Sequence, residues 1–359
     1  MRQALALARR GLGETWPNPA VGCVIVADSR VVGRGWTQPG GRPHAEAAAL
    51  QRAGAAAQGA TAYVTLEPCS HHGKTPPCAD ALVAAGIARC VVAIRDPDPR
   101  VSGGGLARLR EAGIDVTEGV LSVDATAITA GFLMRIEAGR PLVVAKIAST
   151  LDGRIATHAG ESKWITGPRA LQHAHALRAQ NDAVMVGAVT AAVDNPELTC
   201  RLPGFGGRPR VRVVIDGRLR LPLTAKLVSG ARQIPTWLVT RRDADRTRLK
   251  AYEQAGIEVI PVGTGPDSAL DLGEAFAALG HRGLTSILVE GGGGLIGALL
   301  RLGLVDRLAW FRAAKVMGGD GVPAVAAFGV DRLDQALQWH HLETEALGDD
   351  VLETFARKH

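Results

Sequence analysis

Two α/β domains are predicted for this chain, on three observations. Its 359 residues suit about two domains of ordinary size. Strand-like and helix-period runs follow one another along almost the whole length, which predicts mostly parallel sheets with helices on both faces. The pattern breaks at Gly139-Arg140-Pro141, so the domains are drawn as residues 1–139 and 140–359.

The first domain opens with an amphipathic helix in MRQALALARRG. VGCVIVAD and RVVGRGW follow as strands, joined at Asp28-Ser29, a hairpin signal. GRPHAEAAALQRAG starts a helix at His44, after a turn at Gly40 and Gly41. A strand at 62–66 runs into Cys69, and PPCADALVAAG begins a second helix at Cys78. The proline before that helix fits by its fixed φ and missing N–H. RCVVAIRDPDP, GLARLREAG, IDVTEGV and a helix near 122–138 complete the unit.

In the second domain, strands are expected at 142–149, 183–189, 210–216, 236–241, 257–262, 286–290 and 307–316. RALQHAHALRAQN, DRTRLKAYEQAG and LGEAFAAL read as helices between them. The strongest local signal is SILVEGGGGLIGALLRLG, an apolar strand ending at Glu290, then four glycines, then a helix. Glycines let a phosphate approach the backbone, and a helix N-terminus offers free N–H groups. The run is not the G-x-G-x-x-G fingerprint, which counts against a simple dinucleotide-binding dehydrogenase. Lys146, Ser149, Asp152, Ser162, Trp164, Thr190, Asp194 and Arg201 gather near predicted strand ends. Asp152-Gly153 and Asp194-Asn195-Pro196 read equally well as ordinary turns.

The chemistry of the first domain is carried by His44, Cys69 and Cys78. One imidazole and two thiolates supply three ligands for a tetrahedral zinc, leaving one position open for water. Glu46, two residues past the histidine, is placed to take a proton from that water and pass it to a leaving amine. A His/Cys/Cys set beside a non-ligand glutamate is the zinc-deaminase signature. The competing interpretation has His44 as a helix cap, buried thiols and a solvated Glu46. It leaves unexplained why both thiols and the imidazole fall at element ends. A closed structural zinc site would need a fourth protein ligand and gives Glu46 no role.

Composition narrows the classes. The hydrophobic fraction is 47%, and no stretch approaches the ~20 apolar residues of a membrane span. The N-terminus lacks the apolar core and cleavage site of a signal peptide. Five cysteines, two of them claimed by the metal, argue for a reducing cytoplasm over a disulfide framework. Cys23, Cys90 and Cys200 are expected as small core residues. The net charge of +6 is spread along the chain, so it fits anionic small substrates as readily as nucleic acid.

These motifs resemble the bifunctional riboflavin-biosynthesis enzymes, a pyrimidine deaminase fused to an NADPH-dependent reductase. The resemblance rests on PNPAVGCVIV, PHAEAAAL, GATAYVTLEPCSHHGKTPPCADAL and RDPDPRVSGGG. In the second half it rests on KIASTLDGRIA, GESKWITG, RAQNDAVMVGAVTAAVDNPELTCR and VEGGGGLIGALL. It implies a three-layer cytidine-deaminase-like fold for the first domain and a dihydrofolate-reductase-like fold with a mostly parallel sheet for the second. It implies one zinc on His44, Cys69 and Cys78, with Glu46 as proton shuttle and Asn18, His71 and Lys74 around the pyrimidine substrate. Ala148, Trp164, Thr190, Asp194 and the segment Gly292, Gly293, Gly294, Leu295, Ile296, Gly297 and Ala298 match NADP contacts. Lys146, Ser162, Arg178, Leu198, Arg201 and Glu290 match substrate contacts, the two arginines suiting a phosphate. The implied reactions are deamination of 2,5-diamino-6-(5-phosphoribosylamino)pyrimidin-4(3H)-one, then reduction of the ribosyl side chain to a ribityl phosphate. A homo-oligomer, joined through the reductase domain, is also implied.

The rival from another class is a nucleoside or RNA deaminase with an NADP- or nucleic-acid-binding accessory domain. Single-strand binders stack bases on aromatic rings, whereas FWY is only 4% here and no aromatic-basic interleaving occurs. A non-enzymatic zinc module is the other alternative, and Glu46 beside an open ligand position counts against it.

Overall fold

The computed structural model describes residues 1–73, 76–265 and 268–358. They form two compact units, Met1–Arg140 and Pro141–His359.

The first unit runs α1 (Arg2–Ala8), β1 (Gly22–Ala27), β2 (Arg30–Trp36), α2 (Ala45–Ala53), β3 (Thr61–Val64), α3 (Cys78–Ala84), β4 (Arg89–Val92), α4 (Gly104–Glu111), β5 (Asp115–Glu118) and α5 (Ser122–Ala138). The sheet order is β2-β1-β3-β4-β5, antiparallel at β2-β1 and β1-β3 and parallel from β3 onward. Asp28 (φ 47°) and Ser29 (φ 62°) close the β1–β2 hairpin as a turn with two positive φ angles. Cys23, Ile25, Ala62, Val64, Cys90 and Val92 meet Ala45, Ala49, Leu82, Leu106 and Leu109 in one buried core. The sheet is covered by helices, which is why its strands read as apolar runs rather than strict alternation.

The second unit runs β6 (Leu142–Thr150), β7 (Arg154–Ala156), α6 (Pro168–Gln180), β8 (Ala183–Gly187), α7 (Ala188–Asp194), β9 (Val211–Ile215), α8 (Lys226–Ser229), β10 (Thr236–Arg241), α9 (Arg246–Gln254), β11 (Glu258–Val262), α10 (Leu272–His281), β12 (Ser286–Val289), α11 (Gly293–Arg301), β13 (Arg307–Ala313), β14 (Val322–Pro323), β15 (Trp339–Leu347) and β16 (Asp350–Arg357). Its large sheet has the order β11-β10-β9-β8-β12-β6-β13-β16-β15. Every pair from β11 to β13 is parallel, and β16 and β15 close that edge antiparallel. Order reverses around β12 and β6, and ligands of α/β sheets bind at such switch points.

The pattern-based expectations need correction here, and the short pair β7–β14 was not among the expected strands. The strand expected at 183–189 stops at Gly187, and Val189 and Thr190 already belong to α7. The strand expected at 307–316 stops at Ala313. β15 and β16 lie outside the strands expected from pattern, because β15 is an exposed, polar edge with no apolar alternation. Cys23 and Cys90 are buried as expected, whereas Cys200 is half-buried and its sulfur bonds the His175 carbonyl at 3.4 Å.

Candidate active sites

The metal corner is assembled from two helix starts and the loop between β3 and α3. His44 is the residue before α2, in extended conformation. Its Nδ1 lies 3.7 Å from the Cys69 sulfur and 3.4 Å from the Cys78 sulfur. The three ligand atoms all fall within 4.8 Å of one another. Ligand arms of about 2.0–2.3 Å around tetrahedral zinc give ligand-to-ligand edges of about 3.6 Å. The donor set therefore fits zinc in both type and spacing. Cys78 is the first residue of α3, and its backbone N–H donates to the Cys69 sulfur at 3.3 Å.

Bonding from Cys78, then His44, pulls the Cys69 thiol down to about 4, against the opposing effect of burial. Cys78 is shifted up, first by its bond to Cys69. The Cys69 bond likewise raises His44. Glu46 sits in the first turn of α2 with 4% of its surface exposed. Burial lifts its carboxyl to about 7, with His44 opposing. A carboxyl near neutrality accepts and returns a proton with little cost in either direction.

The loop bearing Cys69 is held from behind. Glu67 accepts N–H bonds from Gly103, Gly105, Leu106 and Asp96, so one buried carboxylate ties this loop to the start of α4. A Cβ on Gly105 would lie 1.9 Å from the Pro68 carbonyl oxygen, so only glycine permits that approach.

A pocket of about 270 Å³ opens on this corner, lined by His44, Glu46 and Cys69 together with Asn18 and His71. Asn18 donates to the Gly41 carbonyl at 2.8 Å, and the His71 Nδ1 is buried without a hydrogen-bond partner among the described residues. Lys74 lies outside the described residues. The pocket also gathers residues that motif reading did not single out: Arg42, Asp96, Asp98, Arg100, Phe132 and Arg135. RDPDPR was legible as a motif, but nothing local to it marks its side chains as pocket-facing.

In the second unit the predicted residues form two connected groups. Arg178 on α6 binds Glu290, just past β12, through Nε and Nη2 at 2.6 and 2.9 Å, and the Thr199 carbonyl through Nη1 at 2.7 Å. Only 15% and 10% of these two side chains are exposed. Burial pushes the Glu290 carboxyl up, but Arg178 and Lys146 outweigh it and hold it below its ordinary value. Burial also lowers Lys146, with Glu290 opposing. Lys146 lies within β6 rather than at a strand end. In this structure the Arg178 guanidinium is therefore paired with Glu290 and the Thr199 carbonyl. Arg201 is open instead, its side chain 62% exposed near Glu197 at 3.8 Å. Its backbone N–H donates to His175. Leu198 is turned into the core beside Val184 and Leu219.

The second group is the glycine loop. Gly292 caps α11, and its N–H donates to the Thr190 hydroxyl at 3.1 Å, tying α7 to the loop. The glycines divide in role. A Cβ on Gly293 would sit 2.5 Å from the Pro323 carbonyl oxygen and one on Gly297 2.9 Å from that of Ala326, whereas Gly294 has nothing within 4 Å. Gly293 and Gly297 serve packing, and Gly294 keeps the surface clear. Ile296 and Gly297 are buried, while Leu295 and Ala298 flank them on α11. Ala148 lies in β6, and Asp194 is exposed at the end of α7. Ser162 and Trp164 are exposed on the loop before α6, where Lys315 donates to the Trp164 carbonyl. Among the described residues no hydrogen bond joins that loop to Glu290 or Gly292. Ser149 and Asp152 have structural partners: Ser149 accepts from Trp310, and Asp152 accepts from Met317 and Gly318.

Comparison with known proteins bears on both units. Residues 1–94 match the cytidine and deoxycytidylate deaminase zinc-binding region, and residues 141–352 match the RibD C-terminal domain. The chain belongs to the RibD family. It is 42% identical to the riboflavin biosynthesis protein RibD of Escherichia coli K12, over 98% of this chain and 96% of that one. Among solved structures it superposes on Acinetobacter baumannii RibD with a TM-score of 0.90 and 37% identity, covering 100% of this chain and 98% of the other. A Thermotoga maritima protein, described as a diaminohydroxyphosphoribosylaminopyrimidine deaminase/5-amino-6-(5-phosphoribosylamino)uracil reductase, gives a TM-score of 0.87 at 33% identity, covering 100% and 97%. As a RibD protein this chain is a bifunctional deaminase and reductase of riboflavin biosynthesis. Among its described residues no helix is long and apolar enough to cross a membrane.

Proposed function

We propose that residues 1–139 deaminate 2,5-diamino-6-(5-phosphoribosylamino)pyrimidin-4(3H)-one and that residues 140–359 reduce the ribosyl side chain of the product with NADPH. The observation that carries the first half is the convergence of His44, Cys69 and Cys78 within 4.8 Å beside the buried Glu46. Zinc, when bound by those three side chains, supplies Lewis-acid activation of water at neutral pH. Glu46 moves the protons: it accepts one from the water and delivers it to the pyrimidine ring nitrogen, then takes a second from the hydroxyl added to the ring carbon, which becomes a carbonyl, and delivers that one to the departing amine. Asn18 and His71 line the same pocket and orient the pyrimidine. Lys74 is assigned to the substrate by family resemblance.

For the second half, the carrying observation is the Arg178–Glu290 pair beside Lys146, with Glu290 just past the end of β12 in the reductase sheet. NADPH supplies the reducing equivalents. Thr190, the Gly292–Ala298 segment, Ala148, Trp164 and Asp194 hold it, with the Gly292 end of α11 facing the pyrophosphate. Lys146, Glu290, Arg178, Ser162 and Leu198 place the sugar, and the exposed Arg201 takes its phosphate. The protein works in the cytoplasm, as an odd cysteine count supports, and as a homo-oligomer. Stereospecifically deuterated NADPH, with the label located by mass spectrometry, tests this assignment. Deuterium at the first carbon of a ribityl product is expected, and label on the pyrimidine ring rules the assignment out.

A further inference from the structure

We infer that His175 is a positioning residue of the reductase site, its imidazole holding the segment 198–201 against α6 so that the Arg201 guanidinium meets the substrate phosphate. The inference rests on the reading above that Arg201 takes that phosphate. His175 lies on α6 one turn before Arg178, so the two share a helix face. Its Nδ1 accepts the backbone N–H of Arg201 at 3.2 Å, and its carbonyl accepts from the Cys200 sulfur at 3.4 Å. Arg178 donates to the Thr199 carbonyl at 2.7 Å while paired with Glu290. Leu198 anchors the other end, 3% exposed in the core. Thr199, Cys200 and Arg201 are thus all tied to α6, and Arg201 is the one whose side chain stands open.

Leu198 has a φ of 53°, in the left-handed region that bulky side chains rarely adopt. Such a conformation persists only where its surroundings over-determine it, and the bonds from α6 do so here. The Arg201 side chain itself is guided weakly. Its contact is Glu197 at 3.8 Å, with both side chains well exposed, and Glu197 also meets Lys226 at 3.5 Å. The direction of the guanidinium is therefore set by the backbone beneath it. The bond to His175 requires a neutral imidazole with the proton on Nε2, because an imidazolium would set N–H against N–H. Burial, then the charges of Arg178 and Arg201, hold His175 below its ordinary pKa, with Glu290 and the Thr199 backbone opposing. The ring is neutral at pH 7, as the bond demands. A residue that served packing alone would need only the volume of this 6% exposed ring and no acceptor at Nδ1.

The test follows NADPH oxidation by the full chain, with the deaminated phosphoribosylamino substrate and with its dephosphorylated counterpart. H175N keeps an acceptor where Nδ1 stands, and H175F keeps the ring volume without one. H175F should raise KM for the phosphorylated substrate about tenfold or more, with kcat within about threefold. KM for the dephosphorylated compound and for NADPH should move little. H175N should stay within about threefold of wild type throughout. In an R201Q background H175F should add nothing further, because it acts through Arg201. Wild-type KM in H175F, or a larger loss in H175N than in H175F, overturns the inference and leaves His175 a packing residue. If H175F does not fold, H175L takes its place with the same expectations. If R201Q alone leaves KM unchanged, it is the phosphate assignment that has failed. Hydrogen exchange of the peptide spanning 198–201 then decides the hold by itself: faster exchange in H175F than in H175N and wild type supports it, and equal exchange in all three overturns it.

Discussion

The backbone N–H of Cys78 donates to the sulfur of Cys69 at 3.3 Å, so one metal ligand opens the helix whose free N–H steadies the other. Helix N-termini favour thiolate over thiol. The side-chain bond from Cys78, then that from His44, hold Cys69 near 4 against burial, and the backbone N–H of Cys78 adds to them, so the corner is prepared for a cation by the fold itself.

Zinc should accompany the protein at one per chain when it is purified without chelator. C69S and C78S should each lose it, as read by atomic emission, and deamination should go with it. Because Glu67 anchors the Cys69 loop independently, the variants should keep their secondary structure by circular dichroism. Full zinc occupancy in both variants would mean that the metal sits elsewhere.

R178Q should cost the reductase unit about 3–5 kcal/mol, because it strands a buried carboxylate. The pH dependence carries the signature. In the wild type Glu290 lies below its ordinary pKa, so its stabilising contribution is present at neutral pH and is lost only as pH falls through that depressed value. Without Arg178, burial dominates and the carboxyl moves up. The variant's deficit in melting temperature should then shrink between pH 7.5 and about 5, as Glu290 takes up a proton. A deficit constant over that range would show that the pair is not what holds Glu290 ionised.

The glycine loop separates packing from binding. G293A drives a Cβ against the Pro323 carbonyl and should lower the melting temperature and weaken NADPH binding together. G294A meets nothing within 4 Å and lies in the first turn of α11, so it should stabilise by up to about 1 kcal/mol. Any loss of NADPH affinity in G294A, measured by fluorescence titration, then reports on cofactor approach and not on folding. Equal destabilisation by the two substitutions would refute this division.

The metal corner was legible in the sequence because each ligand falls where an element begins or just after one ends, and such junctions carry local signals: glycines before His44, prolines before Cys69 and Cys78. The alternation of elements was legible for the same reason. What stayed hidden depends on distant partners. Arg178 meets Glu290 across 112 positions, and nothing near Arg178 says that its guanidinium is spent on a carboxylate. Arg135 reaches the deaminase pocket from the last helix of the unit, through a face defined only by packing. The β15–β16 hairpin had a signal after all, Gly348-Asp349 between two runs, but β15 is an exposed edge and lacks the apolar alternation that identifies strands. Gly293 and Gly294 are identical in sequence context, and only the position of residue 323 distinguishes their tasks.

The most direct measurement follows ammonia release and NADPH oxidation side by side in wild-type protein and E46Q. Glu46 is buried beside the zinc ligands, in a unit that holds none of the residues assigned to NADPH. The account predicts that E46Q keeps its zinc, loses ammonia release by about 10²–10⁴-fold, and oxidises NADPH at the wild-type rate when given the deaminated substrate. Undiminished ammonia release, or loss of both activities in a folded, zinc-loaded variant, would contradict it.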